Sequence, residues 1–229
     1  MEQSLRSKTI KGTFWSAADA FLGQGVSFLV GIVLARLLSP DEYGLIGICL
    51  IFTTVLNGIV DSGFSSALIR KKEVSQTDYN TMFFTNLVIS VVLYLVLFFC
   101  SPAISRFFGR AELVSLIRAM GCVLFFNALS ITQYTVLTKR LDFKTKTKAS
   151  FASAVGSGAV GIGMAFAGCG VWSLVAQQLS KQFLYTVCLW ILNRWKPGRN
   201  FSRESFRYMW GFGSKLMLSG LLNNLWNDL

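Results

Sequence analysis

A lysine with two glutamines one helical turn behind it is the cluster most suited to chemistry. Gln177, Gln178 and Lys181 stand at i-4, i-3 and i inside a long apolar run, so on a helix they share one face. Three donors on one mid-membrane stripe require water or an anion beside them, or a buried acid for the lysine. Five more ionisable residues occupy apolar runs: Asp19, Asp61, Arg118, Lys215 and Asp228. On insertion scales a charge at the centre of a membrane helix costs ~2.5 to 3.5 kcal/mol, so each needs a partner or a hydrated cavity.

Depth separates these groups. Asp19 and Asp61 lie about eight residues, roughly 12 Å at helical rise, inside their spans, and Lys215 enters to a similar depth. Asp19 or Asp61 therefore either pairs with Lys215 or serves in a cavity as an ion-coupling carboxylate. Arg118 is close enough to a span end for its guanidinium to reach headgroups, and it is otherwise a second-choice cavity cation with Lys215. Asp228 stands too near the last residue to assign. Lys181 is deepest, and a cavity-facing cationic role is the first expectation for it.

"AVGSGAVGIGMAFAGCG" (Ala154 to Gly170) places Gly156, Gly158 and Gly161 in the spacing of a dinucleotide-binding fingerprint. That fingerprint requires a strand before it and an acidic residue about 20 positions after it. The preceding "KRLDFKTKTKAS" reads as a charged loop, and no Asp or Glu occurs between Asp142 and Glu204. From Ala149 to Gly170, 15 of 22 residues are Gly, Ala or Ser, the composition of membrane helices that approach closely. A packing helix is expected here, with no nucleotide cofactor.

The elements that must position these side chains follow from composition. Of the 229 residues, 53% are apolar and 14% charged, and the apolar ones fall into blocks near the ~20 residues that cross a bilayer. Spans are predicted over Gly12 to Leu38, Gly44 to Ile69, Tyr79 to Ser101, Leu113 to Thr138, Ala149 to Gly168 and Val171 to Leu192, with a seventh entered near Ser205. The basic start of the first span, without a cleavage site, reads as an uncleaved helix. The predicted architecture is an all-α polytopic membrane protein. Residues 1–204 form a six-helix lobe, equivalent to the N-terminal lobe of a two-lobed transporter, and 205–229 begin a seventh helix that reads as cut short.

The net charge of +11 encodes orientation rather than nucleic-acid binding. With the N-terminus cytoplasmic, 16 of the 22 basic residues fall in inside segments and only Arg36, Arg106 and Arg110 outside. His is absent, and the five cysteines make no C-x-x-C pair, so no metal site is expected and the thiols read as small packing groups. Trp15, Trp172, Trp190, Trp195 and Trp210 fall near span ends, as interface anchors do. Amides and hydroxyls recur in nearly every span: Gln24, Ser27, Asn57, Asn86, Ser90, Asn127, Ser130, Gln133, Asn223 and Asn224. Together they point to a hydrated lumen.

Five stretches carry a family resemblance: "LARLLSPDEYGLIGI" (Leu34 to Ile48), "DSGFSSALIRKKEVSQTDYNTMFFTNL" (Asp61 to Leu87), "SRFFGRAEL" (Ser105 to Leu113), "LTKRLDFKTKTKAS" (Leu137 to Ser150) and "GCGVWSLVAQQL" (Gly168 to Leu179). In order, they resemble the bacterial polysaccharide biosynthesis and lipopolysaccharide exporter family. That family includes the Wzx-type flippases of the multidrug/oligosaccharidyl-lipid/polysaccharide exporter superfamily. The resemblance implies two lobes of six or seven helices in the bacterial cytoplasmic (inner) membrane, with alternating access around a cationic cavity. The implied substrate is an undecaprenyl-pyrophosphate-linked oligosaccharide, flipped for surface polysaccharide or lipopolysaccharide synthesis. Lys181 suits such a cavity. Family members are about twice as long, so a C-terminal lobe or a second copy is expected as partner, besides membrane lipid.

Three other readings remain, one of them a purely structural scaffold of a polysaccharide assembly complex, which would bind without transport. A drug/cation antiporter of the same superfamily would expel cationic dyes. An intramembrane polyprenyl-sugar enzyme would need paired carboxylates or a metal-bound base, whereas the predicted outside loops offer only Asp41, Glu42 and Glu112 and no large catalytic loop. A non-enzymatic transporter is the expectation.

Overall fold

The computed structural model describes residues 23–61 and 63–214. Asp19, Lys215, Asp228, Asn223, Asn224 and Trp15 lie outside them. Among the described residues nine helices follow one another: α1 (Gly23–Leu37), α2 (Pro40–Asp61), α3 (Phe64–Arg70), α4 (Gln76–Phe108), α5 (Leu113–Gly121), α6 (Val123–Lys139), α7 (Phe143–Phe166), α8 (Val171–Leu192) and α9 (203–214). No strand occurs among the described residues.

The chain is an all-α polytopic membrane protein. Four stretches are long and apolar enough to cross a bilayer: Pro40–Arg70, Gln76–Phe108, Leu113–Lys139 and Phe143–Phe166. The expected count of six spans and part of a seventh is not reproduced on that criterion. The described part of α1 has only 15 residues. Helix α8 has 22, enough for about 33 Å, but Gln177, Gln178, Lys181 and Gln182 interrupt its apolar character.

Boundaries follow local chemistry. Ser39 closes a capping box with Glu42, its backbone N–H donating to Oε2 at 2.6 Å, and Pro40 begins α2, where its missing N–H costs nothing. Gly63, with φ 69°, separates α3 from α2. Helix α4 continues seven residues past its predicted end, through Pro102. Proline deprives the Phe98 carbonyl of its helical donor, and the Ser101 hydroxyl takes that place at 2.8 Å. The helix stops at Gly109, φ 66°.

The segment expected as a charged loop before Ala149 is helical from Phe143. Asp142 caps it by accepting from the Thr145 N–H and hydroxyl, at 3.1 and 2.7 Å, so "KTKTK" forms the opening turns of α7. The expected glycine close packing is visible between α7, α8 and α1. A methyl group on Gly158 would meet Val30 at 2.5 Å, one on Gly156 would meet Leu184 at 2.6 Å, and one on Gly161 would meet Gln177 at 2.9 Å. Among helices α2 to α8, α7 and α8 form the most extensive pairing.

Two apolar clusters anchor the bundle. One joins α1, α2, α5 and α8 through Leu34, Ile46, Cys49, Leu116, Ile117 and Val175. The other, around Phe64, Leu68, Met82, Ile131 and Met209, sits at the end where the basic residues gather. There the Lys71 ammonium meets both Asp78 oxygens at 2.8 Å, and Lys139 donates to the end carbonyls of α3, Leu68, Ile69 and Lys71.

Candidate functional site

Two adjoining cavities open beside α8. The first, 240 Å³, lies between α1, α2, α7 and α8 and is lined by Ser27, Tyr43, Ser157, Gln177, Gln178 and Lys181 with apolar neighbours. The second, 250 Å³, lies between α2, α5, α6 and α8 and is lined by Thr53, Thr54, Asn57, Gln178, Lys181 and Gln182 with Leu50, Met120 and Val123. Gln178, Lys181 and Leu50 border both. The helical stripe in the sequence therefore borders the cavities, Gln178 and Lys181 on both and Gln177 on the first.

The Lys181 ammonium has one hydroxyl contact, Ser27 Oγ at 3.5 Å, and no carboxylate within ion-pair distance among the described residues. Among those residues it is the one charged side chain lining either cavity. Asn127 donates to Asn57 at 2.9 Å behind the second space, and Gln182 donates to Ser130 at 3.2 Å. A lysine surrounded by carboxamides and hydroxyls can hold a phosphate or carboxylate while the amides bond sugar hydroxyls.

The other candidates lie elsewhere. Arg118 donates from Nε to Ser101 at 3.1 Å and stacks its guanidinium 3.9 Å from the Phe98 ring centroid, tying α5 to α4, and it lines neither cavity. Asp61 accepts from the Ser65 hydroxyl at 2.7 Å, and Ser65 in turn accepts from Thr135 at 3.1 Å. It stands near the basic end, apart from Lys181.

Of the amides and hydroxyls expected along a lumen, Ser27 lines the first cavity and Asn57 the second, but Gln133 and Asn86 are fully buried. Gln133 donates to the Trp195 carbonyl at 3.2 Å and accepts from Asn193 at 2.7 Å, which fastens the segment after α8. Trp195 is 5% exposed, packs against Phe83 and Val136 and donates to Gln76, so it is a core residue rather than an interface anchor. Thr53, Thr54, Ser157 and Gln182 escaped the sequence reading. Gln182 stands at i+4 from Gln178, a spacing that could have found it.

A concavity of 680 Å³ between α2 and α4 is lined by side chains such as Ile51, Val55, Val96, Cys100 and Phe107. It offers no donor for a phosphate. No group of three or more His, Cys, Asp or Glu able to hold a metal occurs among the described residues.

An all-α membrane bundle with polar cavities beside its spans is the class that fold and site define. The family model described as "Polysaccharide biosynthesis protein" matches residues 33–229, and the chain belongs to that family. The succinoglycan biosynthesis transport protein ExoT of Rhizobium meliloti is 25% identical over 224 residues, 97% of this chain and 45% of that protein. The teichuronic acid biosynthesis protein TuaB of Bacillus subtilis is 24% identical over 225 residues, 97% of this chain and 46% of that one. The lipopolysaccharide biosynthesis protein WzxC of Escherichia coli is 28% identical over 118 residues, 52% of this chain and 24% of that protein. The chain thus spans about half the length, or less, of these relatives. No solved structure matches it at a significant level.

Proposed function

We propose that this chain serves as the N-terminal lobe of an exporter that flips undecaprenyl-pyrophosphate-linked oligosaccharide units across the bacterial cytoplasmic membrane by alternating access. Relatives named for succinoglycan transport and for teichuronic acid and lipopolysaccharide biosynthesis support the polysaccharide setting. The observation that carries the reading is Lys181 at the border of two polar cavities. A pyrophosphate drawn off water needs a cation, and sugar hydroxyls need hydrogen-bonding partners, which the amides of Gln177, Gln178, Gln182 and Asn57 supply. The lipid tail stays in the bilayer while the headgroup passes along this polar side. A further lobe or a second copy would close the cavity opposite α8.

Asp61 is the coupling candidate among the described residues. It is a carboxylate within a span that accepts from the Ser65 hydroxyl, and an ionisable group at that depth is a candidate for ion coupling. The deciding experiment reconstitutes the full-length protein and measures flipping of a lipid-linked oligosaccharide. Lys181→Ala should lower the rate about 10- to 100-fold, the loss expected for a hydrogen bond to a charged group, with Lys181→Arg recovering part of it. Unchanged flipping in Lys181→Ala removes the residue from the path.

A further inference from the structure

Helix α9 runs across the basic end of the bundle. Ser202 N–H donates to Thr81 Oγ1 at 3.0 Å, Ser205 and Tyr208 share a polar recess with Ser75 and Asp78, and Lys71 Nζ lies 5.5 Å from the Tyr208 ring centroid. Farther along, Arg70 lies 5.4 Å from the Phe212 centroid. The ten residues from Arg203 to Phe212 cover about 15 Å of helix axis, yet these partners all lie at the basic end of α3 or at the start of α4, caps included.

Its two faces differ in chemistry. Ser205, Met209 and Gly213 are buried, with Met209 against Phe64, Leu68 and Met82. Arg203, Phe206, Arg207 and Trp210, spaced i, i+3, i+4 and i+7, share the other face. Both arginines and Trp210 are exposed, and Phe206 stacks on Trp210 with centroids 5.8 Å apart. Between Asn193 and Ser214 the chain carries five basic residues, all exposed, against the single acid Glu204. Aromatic rings beside arginines, at the depth where neighbouring spans begin, are what the headgroup layer accepts from an amphipathic helix: rings at the acyl boundary and guanidinium groups on phosphate.

We propose that α9 is an interfacial helix that binds anionic phospholipid headgroups through Arg203 and Arg207, with Phe206 and Trp210 seated at the edge of the acyl layer. The charge of the surface selects an anionic lipid over a zwitterionic one. The proposal concerns a surface remote from Lys181, so it stands or falls separately from the transport reading.

The test uses full-length protein in phosphatidylcholine vesicles with or without phosphatidylglycerol, either lipid carrying bromine high on its acyl chain. The Trp210 signal is the fluorescence of the wild type minus that of Trp210→Phe. Brominated phosphatidylglycerol should quench it more strongly than brominated phosphatidylcholine. The Arg203→Gln/Arg207→Gln double variant should lose about 30-fold of that preference, from about 1 kcal/mol per basic residue near the surface. Arg203→Lys/Arg207→Lys should keep it, and Arg106→Gln, on an exposed residue at the far end of α4, should leave it unchanged. Equal quenching by the two lipids, or a preference undiminished in the glutamine variant, overturns the proposal. Absence of quenching by either lipid also overturns it and assigns the face to protein, either a second copy or another segment.

Discussion

Lys181 and Arg118 carry the same charge in the same kind of apolar run, and their surroundings differ. Arg118 is engaged by Ser101 and the face of Phe98, so its substitution acts on stability. Arg118→Leu is expected to loosen the α4–α5 contact, lowering the unfolding temperature while flipping per folded molecule stays near wild type. Lys181→Ala should do the reverse, which a paired stability and flipping measurement reveals. At the same scale, Asp61→Asn keeps a group that can accept from Ser65 but cannot change charge. If Asp61 couples transport, flipping in the variant becomes indifferent to an imposed pH gradient, whereas retention of the gradient response would move coupling elsewhere. The position of Lys181 beside the cavities was legible as depth plus a Gln/Lys stripe. That of Arg118 was not, because Ser101 and Phe98 lie on another helix and no spacing rule connects them to residue 118.

Among elements, the packing of α7 against α1 and α8 is sensitive to side-chain size. Gly158→Leu drives a branched side chain into Val30 and is expected to destabilise the protein by about 1 to 3 kcal/mol. Gly163 lies in the same helix, and a methyl group placed on it would have nothing within 4 Å, so Gly163→Ala should be neutral or stabilising by up to about 1 kcal/mol. Thermal unfolding in detergent separates these outcomes. The small-residue composition of α7 announced close packing, but which glycines touch a neighbour depends on the rotation of the helix about its axis. The segment after α8 shows the same limit more sharply. Trp195 reads as an anchor residue, yet Gln133, Gln76 and Asn80 fix the stretch from Asn193 to Gly198 to α6 and α4. Gln133→Leu leaves the Trp195 carbonyl and the Asn193 amide without that partner and should cost about 1 to 3 kcal/mol in the same assay.

For the whole molecule, the charge distribution makes a claim about orientation. Cys169 is exposed in the turn between α7 and α8, at the end opposite the basic residues. A variant retaining only this cysteine should react with a membrane-impermeant maleimide added outside intact cells from which the outer membrane has been removed. Labelling only after lysis would invert the proposed topology. At that same end Arg110 pairs with Asp41, joining the α4–α5 turn to the start of α2, with both side chains about half exposed. Solvent screens such a pair, so Arg110→Gln should change stability by under about 1 kcal/mol.

The sequence alone determined the solvent this protein folds in, the all-α class and the polar stripe on one helix. These follow from composition and from periodicities of one helical turn, which are local and additive. The tertiary structure decided which polar residues face a cavity and which are structural. Burial and partner choice depend on how helices rotate and cross, and Gln133 and Gln178, the same side chain in the same medium, are separated by that geometry alone.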